Sequence, residues 1–321
     1  MLIEQTRNGL YCAAGDFYID PVGKVRRAII THGHTDHCRP GMGSYLTSQT
    51  GAPIIRERIG KGAIIETLPF GAQMAIGDTI VSLHPAGHIL GSSQVRVEHK
   101  GEIWVVSGDY KVEPDSTCET FEPVRCHTFI TETTFALEKY KWRPQSEIFA
   151  RINDWWQLNA TWGRSCVLFG YSLGKAQRLL AGLDPSVGPI LTYHTVDTFC
   201  AAYKKGGISF PEYTVVNSES IKHFKGKGAM LIAPQEVKKY GLLDDFGEYE
   251  TGFASGWMAN PSALRSTAYD IGFALSDHAD WQGLLGAITD TGSERVIVMH
   301  GFSEQIMPHL RSKGYDVHRW H

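Results

Sequence analysis

The sequence predicts an α/β protein of two lobes, the second inserted into the first. Three observations lead there. The chain is strand-rich up to about residue 137, it alternates strand with helix from about 138 to 268, and over 269–321 it carries His278 and His300, whose chemistry belongs with residues of the first stretch. In that first stretch residues 26–31, 79–83, 102–106 and 128–131 are short β-branched, apolar runs that read as buried strands. Residues 94–105 read as a hairpin turning at Lys100-Gly101. In the second stretch the strand-like run 165–169 precedes a helix over 175–183, the run 189–192 precedes a helix over 196–204, and the run 229–233 follows. That rhythm implies a parallel sheet with crossover helices. No repeat, heptad or low-complexity stretch interrupts it.

The densest chemistry lies in Thr31-His32-Gly33-His34-Thr35-Asp36-His37, directly after a predicted strand. Imidazole and carboxylate are ligands that a borderline divalent ion accepts, and a loop leaving a strand end turns alternate side chains toward one point. His32 and His34 can hold one ion, and Asp36 and His37 a second. Solvated surface histidines are the plain alternative, but a random loop rarely places Asp among them. Two ions need more ligands than one loop supplies. His88 follows the strand 79–83 in Pro85-Ala86-Gly87-His88, Asp109 follows 102–106 in Ser107-Gly108-Asp109, and His300 follows 295–299 before Gly301. A lone strand-end histidine is more often structural. Together these residues form a coherent ligand set.

Composition bounds the remaining classes. A chain of 321 residues buries a large core and is long enough for two lobes. Apolar residues make up 42%, yet no uninterrupted run approaches the roughly 18 residues of a membrane span. The N-terminus lacks a basic segment followed by an apolar core, so a cytoplasmic protein is expected. Six scattered cysteines without a CxxC pair read as reduced thiols, and Cys38, beside the histidine loop, reads as structural. The net charge of -3 means that any grip on a polyanion is local. Lys139, Lys141 and Arg143, Lys175 with Arg178, Lys222, Lys225 and Lys227, and Lys238 with Lys239 are the clusters available, although such clusters are usually solvated faces.

Within the insertion, Gly170-Tyr171-Ser172-Leu173-Gly174-Lys175 fails the spacing of a nucleotide-triphosphate loop: three residues separate its glycines and Ala176 follows the lysine. A strand–loop–helix start can still receive a backbone phosphate, so Ser172 and Lys175 are expected phosphate contacts, with Ser255 and Ser276 beside them. Trp257 could stack on a base, or simply sit in the core beside a tight turn.

The order His-x-His-x-Asp-His, then His88, Asp109 and a late histidine resembles the metallo-β-lactamase superfamily across nearly the whole chain. Glu132 at a strand end, His278 in Ser276-Asp277-His278-Ala279-Asp280, and His300 resemble motifs A, B and C of its nucleic-acid-processing β-CASP branch. The opening run from Gly9 to Pro21 and the run from Tyr171 to Arg178 look like the bacterial ligase-associated DNA exonucleases. The resemblance implies an αββα sandwich, segments 1–137 and 269–321, with a β-CASP domain inserted at 138–268. It also implies two divalent ions, Zn or Mn: His32, His34 and His88 on the first, Asp36, His37 and His300 on the second, and Asp109 bridging. Asp36 could further orient the nucleophile as a base. By the same likeness His278 is the general acid, aligned by Glu132, and Asp20 buttresses a ligand loop, unless it is an ordinary turn residue before Pro21. His84, His99, His127, His194, His223, His309, His318 and His321 are read as non-catalytic.

The function so implied is a binuclear metal-dependent phosphodiesterase, a DNA exonuclease acting on single strands or 5′ ends in repair beside an ATP-dependent DNA ligase and a helicase. An RNA-processing endo- or exoribonuclease competes, since a histidine at motif C is shared with the RNA branch. A catalytically silent nucleic-acid-binding subunit is disfavoured by the intact ligand set. A small-molecule hydrolase would need neither the insertion nor the His278–Glu132 pair.

Overall fold

A computed structural model describes residues 1–266 and 268–320. Its contacts divide the chain into two compact units, Met1–Lys141 with His278–His321, and Trp142–Asp277. The texture of the sequence changes near 138 and 268. The contacts carry the second unit on to Asp277 because the strand Ile271–Phe273 pairs in parallel with Tyr249–Ala254.

The first unit holds two sheets. One runs Glu4–Thr6, Gly9–Cys12, Phe17–Ile19, Arg27–Ile29, Ser44–Ser48 and Ile65–Leu68 in chain order. In the other, Asp316–Arg319, Arg295–Met299, Thr128–Glu132, Glu102–Val106, Ser93–His99, Thr79–Pro85 and Gln73–Ile76 lie side by side in that order. Alternation assigns each residue to a face. Trp104, Val106, Ile130 and Ile297 share a core with Leu10, Phe17 and Ile29 of the first sheet. Their neighbours Val105, Phe129, Val296 and Val298 face outward onto Leu284, Ile288, Ile306 and Leu310 of the helices Trp281–Thr291 and Ser303–Ser312. The outer face of the first sheet packs Ala28 and Tyr45 against Ile55 of the helix Ala52–Ile59. The layers are therefore helix, sheet, sheet, helix. The predicted hairpin is formed by Ser93–His99 and Glu102–Val106, and Lys100 and Gly101 both take positive φ at its turn.

The second unit is a parallel sheet in the order Thr214–Val216, Ile190–Tyr193, Met230–Ala233, Ser165–Phe169, Tyr249–Ala254, Ile271–Phe273. Both faces are covered, as a crossover sheet requires. Cys166 and Leu168 meet the helices Gln145–Thr161, Lys175–Ala181 and His194–Lys205, while Val167 and Phe169 meet Ile221, Val237 and Phe246. The long helix Gln145–Thr161, anchored by Ile148, Ile152, Trp155 and Trp156, was not anticipated from the sequence. Among the described residues no helix is long and apolar enough to cross a membrane.

Candidate metal centre

Three strands of the second sheet end together. Val106 is in register with Ile130, and Glu132 with Met299, so Asp109, Glu132 and His300 emerge at one carboxyl edge, where open parallel sheets place their sites. Glycine makes the approach feasible: Gly108 takes φ +57, and a Cβ there would lie 2.7 Å from Thr31 Cβ.

The strand Arg27–Ile29 delivers the histidine loop to the same place. Donor atoms of His32, His34, His88 and Asp109 all lie within 4.8 Å of one another. His34 Nδ1 is 3.1 Å from His32 Nε2 and 3.0 Å from His88 Nε2, while Asp109 Oδ2 is 3.6 and 3.8 Å from those two Nε2 atoms. A tetrahedral ion with bonds of roughly 2.0–2.1 Å to nitrogen spaces its donors about 3.3 Å apart, so the set fits such an ion. The hydrogen bonding behind it agrees. Thr31 Oγ1 donates its one proton to Asp20 Oδ2, so at 3.0 Å from His32 Nδ1 it accepts, and His32 presents a bare Nε2 to the cluster. Burial, reinforced by His37 and the other imidazoles, holds His32 well below the usual histidine range, which keeps that lone pair available.

A second group of donors adjoins the first. His37 Nε2 lies 3.5 Å from Asp109 Oδ1 and 3.7 Å from Asp36 Oδ2, while its Nδ1 is 2.7 Å from Asp20 Oδ2. The His300 ring centre is 6.4 Å from that of His37. Burial works to lower the His37 imidazolium, but the charge of Asp109 and the hydrogen bond to Asp20 prevail and hold it up to about 10. So many carboxylates around one nitrogen demand a cation, and a divalent ion can take the proton's place. Asp20 accepts from the Thr31 amide at 2.8 Å as well as from the Thr31 hydroxyl and His37, so it braces both ends of the loop.

His278 stands on the other flank. Its Nδ1 is 2.9 and 3.0 Å from the two oxygens of Glu132, and its ring centre is 4.7 Å from that of His88. Glu132 is buried and also accepts from the Tyr110 amide at 2.8 Å and from the Thr134 hydroxyl. Burial acts to raise this carboxyl, and the charge and hydrogen bond of His278 outweigh it, leaving Glu132 below its ordinary value and ionised.

The expected phosphate contacts lie in the second unit. Lys175 is a correction: it is 2% exposed, and its ammonium binds Leu275 O and, at 2.8 Å, Asp277 Oδ1. Arg178 joins the same carboxylate at 3.0 Å and bonds the Ser276 carbonyl. These cations stabilise a buried aspartate and its turn, so a cation read as solvent-facing is part of the interior. Ser172 Oγ pairs with Thr195 Oγ1 at 3.0 Å, Ser276 is 6% exposed, and Ser255 accepts from the Trp257 amide at the start of Gly256–Ala259. Cys38 packs with Ala28, Ile30 and Tyr45, and burial pushes its thiol up to about 12. His321 lies outside the described residues.

The sequence reading missed Thr133. This buried residue bonds the Met299 and His300 carbonyls through its hydroxyl, lies 2.8 Å from Ser303 Oγ, and accepts the Phe302 amide at its carbonyl. His300 there adopts φ +60 and Gly301 φ +53, and a Cβ on Gly301 would lie 2.2 Å from Thr133 O. The available signal was the run Thr131-Glu132-Thr133-Thr134, in which hydroxyls flank a strand-end acid.

No family model matches the chain. Over 313 residues, 97% of its length, it is 30% identical to a "Probable DNA ligase" of Opitutus terrae, of which it spans 30%. Over 218 residues, 63% of its length, it is 23% identical to "Endoribonuclease ysh-1" of Neurospora crassa, of which it spans 25%. "Endoribonuclease YSH1" of Gibberella zeae is likewise 23% identical over 217 residues, and the chain spans 26% of it. The chain thus covers less than a third of each of these relatives. Among solved structures, a protein of unknown function from Enterococcus faecalis superposes with a TM-score of 0.58 at 12% identity, covering 92% of this chain and 79% of that one. That likeness is one of fold alone.

Proposed function

We propose that the chain is a binuclear metal-dependent phosphodiesterase of the metallo-β-lactamase fold, β-CASP branch, and that it removes nucleotides from the 5′ end of DNA. In this reading the first unit is the metallo-β-lactamase domain in two segments, and the second is the β-CASP insertion. The observation that carries it is the juxtaposition of a partly buried His/Asp donor cluster with a His278–Glu132 pair 2.9 Å apart on its flank. The layer order of the first unit and relatives named as a DNA ligase and as endoribonucleases support a nucleic-acid substrate.

His32, His34 and His88 would hold one ion and Asp36, His37 and His300 the second, with Asp109 between them. Two such ions, zinc or manganese, would supply a water acidified toward neutrality and a polarised phosphate oxygen. The chain supplies the rest. Asp20 and Thr31 set the tautomers of His37 and His32. His278 has Nδ1 committed to Glu132, so the proton it gives to the departing alkoxide oxygen leaves from Nε2. The ionised Glu132 keeps that imidazole charged until transfer. In this reading Asp36, whose side chain is 73% exposed, takes a proton from the attacking water. A cytoplasmic role in repair beside an ATP-dependent DNA ligase and a helicase completes the reading.

A second reading, an RNA-processing nuclease, is favoured by His300 at motif C and by the endoribonuclease relatives. Matched single-stranded DNA and RNA, each with a 5′-phosphate and an internal label, separate the two in Mn²⁺ or Zn²⁺ with Asp36→Ala as control. Stepwise mononucleotide release from DNA is expected. Preferential RNA cleavage would promote the second reading, and cleavage of neither would refute both.

A further inference from the structure

A cavity of about 270 Å³ opens in the first unit beside the second donor group. Its walls include the charged and imidazole side chains of Asp20, Asp36, His37, Asp109, Glu132 and His300. They also include the aliphatic side chains of Leu10, Ile19, Val22, Val106, Ile130 and Met299. The N-terminal hairpin lines it, with Gly9 at φ +117. Arg7 stands among its walls and, among the described residues that line it, is the one lysine or arginine. Neither His88 nor His278 is among those walls.

We propose that this cavity receives the nucleoside of the nucleotide that keeps the scissile phosphate, with Arg7 meeting the next phosphate along the strand. The proposal rests on the phosphodiesterase reading and deepens it. A site for phosphate alone gains nothing from an aliphatic wall, whereas a phosphate bearing an apolar, uncharged substituent does. The volume admits one nucleoside and excludes two, since pockets for drug-sized ligands start at roughly 300 Å³. Side matters as well. His278, itself outside those walls, lies against His88, so the group leaving with its proton departs there, and the cavity is left for the nucleoside whose ester bond to the phosphorus stays intact. Val22 is 47% exposed at this wall, an apolar side chain that a base or sugar would cover.

The test is equilibrium binding of thymidine 5′-monophosphate and of inorganic phosphate to the manganese-loaded full chain. The parent should bind the nucleotide at least about tenfold more tightly than phosphate. Val22→Trp, which fills the wall from its exposed rim, should bring the two affinities together. Arg7→Glu alters only an exposed side chain, so it serves as the variant that keeps its fold, and it should weaken capture of a 5′-phosphorylated dinucleotide at least about tenfold more than capture of thymidine 5′-monophosphate. Equal affinities in the parent, or an undiminished difference in Val22→Trp, would overturn the nucleoside site while leaving the phosphodiesterase reading standing. Failure of the parent to bind either anion would overturn both.

Discussion

Thr133→Val removes one hydroxyl from the interior and nearly preserves side-chain shape. The Thr133 and Ser303 hydroxyls share their protons between the Met299 and His300 carbonyls. The Thr133 hydroxyl has one proton to donate, and removing it leaves a carbonyl of the turn short of its partner, which costs roughly 1–3 kcal/mol. That is the size of the strain the turn carries: a non-glycine residue held at positive φ, as His300 is at +60, costs on the order of 1–3 kcal/mol. The bond and the strain therefore nearly balance, and the variant should let His300 relax away from the cluster. Two readouts follow. Thermal unfolding should shift down by roughly 2–4 °C for each kcal/mol lost. Affinity for the more weakly held metal, read by chelator competition, should fall about 10–100-fold, as when partners behind a ligand are removed. Thr133→Ser should restore both. If Thr133→Val melts and binds metal as the parent does, or if Thr133→Ser is equally damaged, the reasoning fails.

Other substitutions probe the remaining parts. His278→Ala should keep its metal and slow phosphodiester cleavage by about 10²–10⁴-fold, so full activity would remove it from the acid role. Asp109→Ala should lose at least one ion, and native mass spectrometry showing two ions still bound would refute its bridging position. Asp20→Asn should weaken metal binding about 10–100-fold by unsettling His37 and Thr31, measured by the same chelator competition. Gly108→Ala brings a Cβ within 2.7 Å of Thr31 at φ +57, and a lowered melting temperature is expected.

Much of the site was legible because metal ligation needs few residue types and parallel strands deliver them at predictable points. His32, His34, His88 and Asp109 each follow an apolar run closely, and their donor atoms do converge. The strand–helix rhythm of 165–233 was readable for the same kind of reason, since a sheet covered on both faces leaves nearly unbroken apolar strands. The helix Gln145–Thr161 was less visible: its buried face, Ile148, Ile152, Trp155 and Trp156, is narrow and set among polar residues.

What the sequence determined by itself was the chemistry available and the strand ends that carry it, because side-chain identity and local periodicity are properties of neighbouring residues. Tertiary structure decided the rest. Lys175 looks like a phosphate contact in the sequence and Arg178 like part of its basic cluster, but Asp277, about a hundred positions on, draws both into the interior. Thr133 has no special chemistry of its own and becomes a support for His300 only because the strands ending at Glu132 and Met299 lie side by side. Which cation meets solvent and which hydroxyl braces His300 depend on long-range pairing, and local sequence carries no record of it.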